Sequence, residues 1–214
     1  MEVSYYLLLA FLLTKLPVIG NYLKLLNTMV HELFHVLAAT LTGGKGYQIK
    51  LFADTTGQAK IHSSSWISGV LVSYAGYTGS SLMALLLFYL LHEGYYTPII
   101  VLFFILSITT VLFWIRNWFG FLWITSFIVI LWLILKYQLV SVIQHLSYLL
   151  ASIILVESIV STLHIMLISF RHPQHAGDAT SLQQTTKLPA VLWGSAFFVQ
   201  SSYIGYTVLQ NYVF

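Results

Sequence analysis

Long runs of apolar residues, separated by short polar stretches, dominate the chain. Seven such runs follow one another, at residues 4–19, 21–41, 66–91, 98–115, 118–135, 139–169 and 189–212. Several of them exceed the roughly 18 residues that an α-helix needs to cross the hydrocarbon layer of a bilayer. The pattern predicts an all-α polytopic membrane protein of about seven spans, forming a single membrane-embedded domain over residues 1–214.

The spacing of apolar residues changes after the glycines at 43–46. Residues 47–52 alternate between apolar and polar side chains, residues 54–57 have turn chemistry, and residues 58–62 resume the alternation. This pattern predicts a short β-hairpin over residues 45–63. Because open strand edges are costly in lipid, we expect the hairpin to be interfacial, or re-entrant against a protein-lined cavity.

The composition agrees with a membrane protein and excludes several site types. Hydrophobic residues make up 58% of the chain and charged residues 7%, with a mean hydropathy of +0.86. A soluble domain carries about 25% charged residues, so this chain lacks a water-facing surface. Without a basic run we expect no nucleic-acid partner. The chain has no cysteine, so a tightly bound metal must use His, Asp or Glu.

Positive residues between the predicted spans indicate an orientation. One side collects six of them and the other three: Lys45, Lys50, Lys60, Arg116, Arg171 and Lys187 against Lys15, Lys24 and Lys136. The side richer in Lys and Arg is cytoplasmic as a rule. The count therefore predicts a multi-pass protein of the cell membrane, with the hairpin, the polar loop 171–189 and the N-terminus in the cytoplasm and the C-terminus outside.

The stretch His31-Glu32-Leu33-Phe34-His35 is an HExxH motif within an otherwise helix-like segment, 21–41. Residues four apart lie on one helix face, so both imidazoles can point at one metal ion. The intervening Glu32 is then free to act as a general base. Two histidines that only pack against neighbouring helices are the alternative. A stripe of small and polar residues turns the motif's face inward, toward other helices or a cavity: Lys24, Asn27, Thr28, His31, His35, Ala38 and Thr42.

A catalytic zinc ion needs a third protein ligand and an open position for water. The side chains available near the predicted cytoplasmic end of the motif helix are His172, His175, Asp178 and Glu157. Asp178 could equally cap a helix that begins near Ala179. The residues by themselves leave the third ligand open.

Three stretches resemble the site-2 protease family of intramembrane zinc metalloproteases, in its small M50B-like branch: HELFHVLAATLTGG before the hairpin, AGYTGSS at the opening of a span, and GDATSLQQTTKLPAVLWG before the last span. The resemblance implies that His31 and His35 bind one zinc ion, that Glu32 activates the attacking water, and that Asp178 is the third ligand. In better-known branches this aspartate lies inside a span, whereas Asp178 precedes one.

The resemblance implies a membrane-protein substrate, with a regulatory membrane partner as a further possibility beside the lipid bilayer. A substrate helix hides its amides in hydrogen bonds and must unwind before cleavage. The hairpin either offers an edge for the extended substrate or is only a connector. Glu157 and His164 are expected to be a polar pair within the bundle.

Three other functions compete with proteolysis. A membrane desaturase also uses histidine boxes, but it requires several of them to hold two irons, and this chain adds only His172 and His175. A proton- or metal-coupled transporter could use Glu32, Glu157 and His164 as a relay, although the chain shows no duplicated half. A proteolytically inactive relative of the family is the third.

Overall fold

The computed structural model describes residues 2–213 and folds them mainly into helices. Eight α-helices and one two-stranded sheet account for most of these residues: α1 (Glu2–Leu13), α2 (Ile19–Leu41), β1 (Lys45–Leu51), β2 (Gly57–His62), α3 (Trp66–His92), α4 (Tyr96–Phe113), α5 (Trp118–Lys136), α6 (Val140–Arg171), α7 (Asp178–Thr186) and α8 (Ala190–Tyr212). A 3₁₀ turn at Pro173–His175 precedes α7.

Four helices are long and apolar enough to cross a bilayer, namely α3, α4, α5 and α6. The chain is therefore a membrane protein that is mostly helical. The count of seven spans is not confirmed, because α1 has only 12 residues and the 23-residue helices α2 and α8 do not reach the same hydropathy.

Helices α1 and α2 follow each other along α6 instead of forming an antiparallel pair. Tyr6 of α1 contacts His145 near the start of α6, with 2.5 Å between Oη and Nδ1. Thr14, just after α1, lies beside Glu157 in the middle of α6. Helix α2 then runs on past the second half of α6. The start of α1 therefore lies at the end of the molecule opposite the hairpin. The prediction that the N-terminus and the hairpin lie on one side, with 4–19 and 21–41 as two opposed spans between them, is wrong.

Close approach of α2 and α3 depends on small residues in α3. The ring of Phe34 on α2 lies against the backbone of Gly79, where a Cβ would overlap it. Leu25, Met29 and Val36 of α2 are fully buried in the same core. The small Gly79 of the AGYTGSS run therefore lets the two helices approach closely.

The predicted hairpin forms with nearly the predicted bounds, and it runs back along α2. Its turn is closed by Asp54, whose Oδ1 accepts hydrogen bonds from the backbone N–H and the hydroxyl of Thr56. These bonds lower the pKa of the Asp54 carboxyl. Thr28 of α2 donates to the carbonyl of Thr55 at 2.9 Å. The hairpin is therefore held against the motif helix.

The outer edge of β1 is already occupied. The N–H of Ile49 donates to the Trp114 carbonyl at 2.6 Å, and the N–H of Arg116 donates to the Ile49 carbonyl at 3.1 Å. The side-chain amide of Asn117 bonds both backbone groups of Leu51. The outer edge of β2 is therefore the side on which the sheet can still accept a strand.

The stretch 171–189, predicted as a polar loop, contains the 3₁₀ turn and helix α7. Ala179 and Leu182 on α7 are fully buried against Phe197 of α8. On the opposite side, the indole N–H of Trp66 at the start of α3 donates to the Thr185 carbonyl at 2.8 Å. Packing on two sides holds the first residue of α7, Asp178, in a defined position.

Candidate metal centre and active site

His31, His35 and Asp178 bring three potential ligand atoms together. The Nε2 atoms of the two histidines lie 3.0 Å apart, and Oδ2 of Asp178 lies 3.2 Å from each of them. Among residues 2–213, His31, His35 and Asp178 form the one cluster of three His, Asp or Glu side chains close enough together to hold a metal ion. The two histidines come from one helix, as their spacing predicts, and the carboxylate comes from α7.

The distances suit a tetrahedral zinc site. With zinc–ligand bonds of about 2.0–2.1 Å and tetrahedral angles, neighbouring ligand atoms lie roughly 3.3–3.4 Å apart. The three observed separations are within a few tenths of an ångström of that value. Three ligands leave the fourth tetrahedral position for water or substrate.

The hydrogen-bonding state of His35 also fits a bound cation. Its Nδ1 lies 2.7 Å from the carbonyl oxygen of Val72, which can only accept, so Nδ1 carries the proton. In the neutral ring Nε2 then presents a lone pair toward the lone pairs of Asp178. Oδ2 of Asp178 is buried and has no hydrogen-bond partner among the described residues. Acceptors that converge in this way are held together by a positive charge between them, which is a metal ion or a proton on one of the imidazoles.

Asp178 belongs to this cluster because α7 places its first residue beside the motif helix. Burial alone would raise the pKa of the Asp178 carboxyl, but His35 and His31 in their protonated forms lower it further than burial raises it, to below the usual range. The carboxyl is therefore held as the anion that a metal ligand must be.

The other candidates for third ligand lie elsewhere. His175 lines the same cavity but is outside the cluster, and His172 directly follows α6 with an exposed side chain. Glu157 lies beside Thr14, away from the motif, whereas His164 lines the cavity. The expected pairing of Glu157 with His164 is not what the structure shows.

Glu32 is buried next to the cluster, with 6% of its surface exposed. The backbone N–H of Ala59 on β2 faces its carboxylate. A Cβ on Gly57 would lie 2.6 Å from Oε1 of Glu32, so only glycine lets the strand approach this closely. The hairpin therefore forms one wall of the site and holds the glutamate.

A cavity of about 730 Å³ opens onto these residues. It is bounded by α2, the edge of β2, α3, the second half of α6 and the start of α7. The cavity is large enough for an extended peptide segment, and polar side chains such as His31, Glu32 and Asp178 open into it.

Sequence reasoning missed the backbone groups that complete the site. The carbonyl of Val72 orients His35, and Gly76 lies against both imidazoles, since a Cβ there would be 2.5 Å from Nε2 of His35 and from Cε1 of His31. The sequence shows that Gly76 belongs to the run AGYTGSS, which is rich in small residues. That this glycine lies against the histidines depends on how α3 packs on α2.

Comparison with known proteins identifies the family. The family model described as Peptidase M50B-like matches residues 3–207, which is nearly the whole chain. The chain belongs to this family. No curated protein and no solved structure gives a significant match. In this M50B-like chain the stretches that carried the resemblance contain all three residues of the cluster, together with Glu32.

Proposed function

We propose that this protein is an intramembrane zinc metalloprotease that hydrolyses a peptide bond in or near a transmembrane segment of another membrane protein. The observation that carries the proposal is the convergence of His31, His35 and Asp178 beside the buried Glu32, in a membrane protein of a peptidase family. We propose one zinc ion per chain, held by the three converging atoms, and a membrane-protein substrate as partner.

A zinc ion bound there would polarise the scissile carbonyl and lower the pKa of its water toward 7. Glu32 is the general base of the motif. Its carboxylate accepts a proton from the attacking water and later delivers that proton to the leaving amine. The Ala59 amide, which faces the carboxylate, orients it toward the cavity.

The hairpin supports binding of an extended substrate. Because both backbone groups of Ile49 bond to residues 114–116, the pair Ile49–Ala59 is a non-hydrogen-bonded pair of the ladder. The backbone groups of Ala59 therefore point outward, where its N–H faces Glu32 and its carbonyl is left for a substrate; by the same alternation the backbone groups of Gly57 and Ile61 also point outward. All three residues line the cavity. We propose that a locally unwound substrate adds to this edge as a strand.

The observed path of α1 and α2 strengthens the proposed orientation. Lys15 and Lys24 interact electrostatically with Glu157, at the break between α1 and α2 in the middle of the bundle. Neither lysine therefore lies at an end of the molecule. The end of the molecule with the hairpin and α7 then has six positive residues, against Lys136 at the other end. We propose that the metal centre faces the cytoplasmic side of the cell membrane.

The proposal is tested with purified protein in phospholipid vesicles and a panel of fluorescently labelled single-span polypeptides, some with glycine or proline within the apolar segment. The wild-type protein should bind one zinc ion and cleave at least one of them. Glu32→Gln should retain zinc and lose at least about 100-fold in rate. Glu93→Gln, an exposed glutamate at the opposite end, is the control and should cleave as wild type.

Three results would overturn the proposal. They are cleavage by Glu32→Gln at the wild-type rate, no cleavage of any polypeptide by a zinc-loaded wild type, and two irons per chain in place of one zinc. The last result would support the desaturase alternative.

A further inference from the structure

Tyr77 lies directly against the metal centre on the α3 side. Its ring packs edge-on against the imidazole of His31, with 4.5 Å between ring centroids, and on the other side contacts Phe197 of α8 at 4.9 Å. It follows Gly76, whose backbone lies on the two histidines. The same side chain also lines the cavity. Tyr77 is therefore among the residues that surround any substrate carbonyl brought to His31 and His35.

The hydroxyl of Tyr77 does not contribute a hydrogen bond to the packing of the described helices. Tyr77 is half-buried, and a tyrosine packed among other side chains usually uses its hydroxyl in a hydrogen bond. Tyr74, one turn earlier on α3, follows this rule and donates to Oε1 of Gln200 at 2.6 Å. In contrast, the Tyr77 hydroxyl makes no hydrogen bond to any other residue within 2–213, and the charges that act on it are the carboxylates of Asp178 and Glu32.

A phenylalanine at position 77 would keep the ring contacts with His31 and Phe197 and would lack only the hydroxyl. The hydroxyl therefore adds a single property, a free hydrogen-bond donor on the wall of the cavity. Such a preorganised donor acts best on negative charge that develops only during reaction.

We propose that the Tyr77 hydroxyl donates a hydrogen bond to the oxyanion formed when water attacks the scissile carbonyl. The proposal rests on the proposed proteolytic function. In the attack a bond forms between the water oxygen and the carbonyl carbon, and the carbonyl electron pair moves onto the carbonyl oxygen. Tyr77 donates to that oxygen and keeps its proton. In the collapse the carbon–nitrogen bond breaks, and the amine takes the proton that Glu32 carries.

The test compares Tyr77→Phe with Tyr74→Phe in the vesicle assay. Removing one oxyanion donor lowers turnover by roughly 100- to 1,000-fold. We expect Tyr77→Phe to lower kcat to about that extent with little change in KM, in zinc content or in Tm, because no bond within the protein is lost. Tyr74→Phe loses its bond to Gln200, so its Tm should fall while its kcat stays within a few-fold of wild type.

A second readout does not depend on turnover. A phosphinic peptide, built on whichever polypeptide sequence is cleaved, carries a tetrahedral anionic group in place of the scissile bond. Its Ki should rise in Tyr77→Phe by the factor by which kcat/KM falls, while the affinity of uncleaved polypeptide for the Glu32→Gln protein should be the same with Tyr or Phe at 77.

Two outcomes would overturn the proposal. If kcat of Tyr77→Phe lies within twofold of wild type, the hydroxyl does not stabilise the transition state. If zinc content falls together with kcat, Tyr77 acts by supporting His31. In both cases the inactivity of Glu32→Gln would still stand, so failure of this proposal is distinguishable from failure of the proteolytic function.

Discussion

The carbonyl oxygen of Val72 lies 2.7 Å from Nδ1 of His35 and determines which nitrogen of that imidazole faces Asp178. This contact makes the backbone of α3 part of the candidate metal centre. One turn later along α3, Gly76 lies against Nε2 of His35, the nitrogen that faces Asp178. The register of α3 on α2 therefore sets both the tautomer of His35 and the space around the three converging atoms.

Gly76→Ala is expected to disrupt metal binding. Its Cβ would lie 2.5 Å from Nε2 of His35, a separation at which one group must move, and the backbone of α3 cannot move without releasing the Val72 contact. We expect zinc bound per chain, measured by metal analysis after purification, to fall well below that of wild type. Gly69→Ala on the same helix is the control, because its Cβ meets nothing closer than 3.8 Å. Zinc retention by Gly76→Ala would show that the approach of α3 is not required.

Asp178→Asn is expected to weaken zinc binding. A neutral amide replaces the anionic oxygen that faces both histidines, so the affinity measured by competition with a chelator should fall by at least roughly 100-fold. His175→Ala, which changes a nearby cavity residue outside the cluster, should keep the wild-type affinity. The opposite pattern, with His175→Ala losing zinc and Asp178→Asn retaining it, would move the third ligand to His175.

Ile61→Pro is expected to impair substrate binding without unfolding the hairpin. The N–H of Ile61 points to the outer edge of β2, so proline there removes a donor that the β1–β2 ladder does not use. Loss of one backbone bond to an added strand should lower kcat/KM by about 3- to 10-fold, mainly through KM. Lys60→Pro is the control for damage to the ladder, since Lys60 lies in a hydrogen-bonded pair with Gln48, and it should lower Tm. Unchanged kcat/KM in Ile61→Pro would leave the hairpin as a connector.

Single cysteines should report the path of α1 and α2. The chain has no cysteine of its own, so each introduced thiol can be labelled alone with an impermeant maleimide in oriented membranes. Ser4→Cys and Lys136→Cys should be labelled from one side, and Lys45→Cys and Lys187→Cys from the other. Labelling of Ser4→Cys from the same side as Lys45→Cys would restore two opposed spans before the hairpin.

Local patterns in the sequence predicted most of the elements. Alternation over residues 45–63 predicted a hairpin that the structure bounds at Lys45 and His62, and the four-residue spacing of His31 and His35 predicted that their nitrogens converge. Both features depend on neighbours in the chain, and the periods of strand and helix translate directly into faces. The path of α1 and α2 was not predictable in this way, because hydropathy reports the length of an apolar run and says nothing about whether the turn after it reverses direction.

The sequence by itself determined that this is a helical membrane protein with an HExxH helix, and a family resemblance pointed to Asp178. Only the tertiary structure decided which residue joins the two histidines, because contact between residues 147 and 143 positions apart depends on how α7 packs between α3 and α8. It also decided which strand edge is open, and it placed the backbone of Val72 and Gly76 on His35. These relationships arise from packing between distant elements, which no local period encodes.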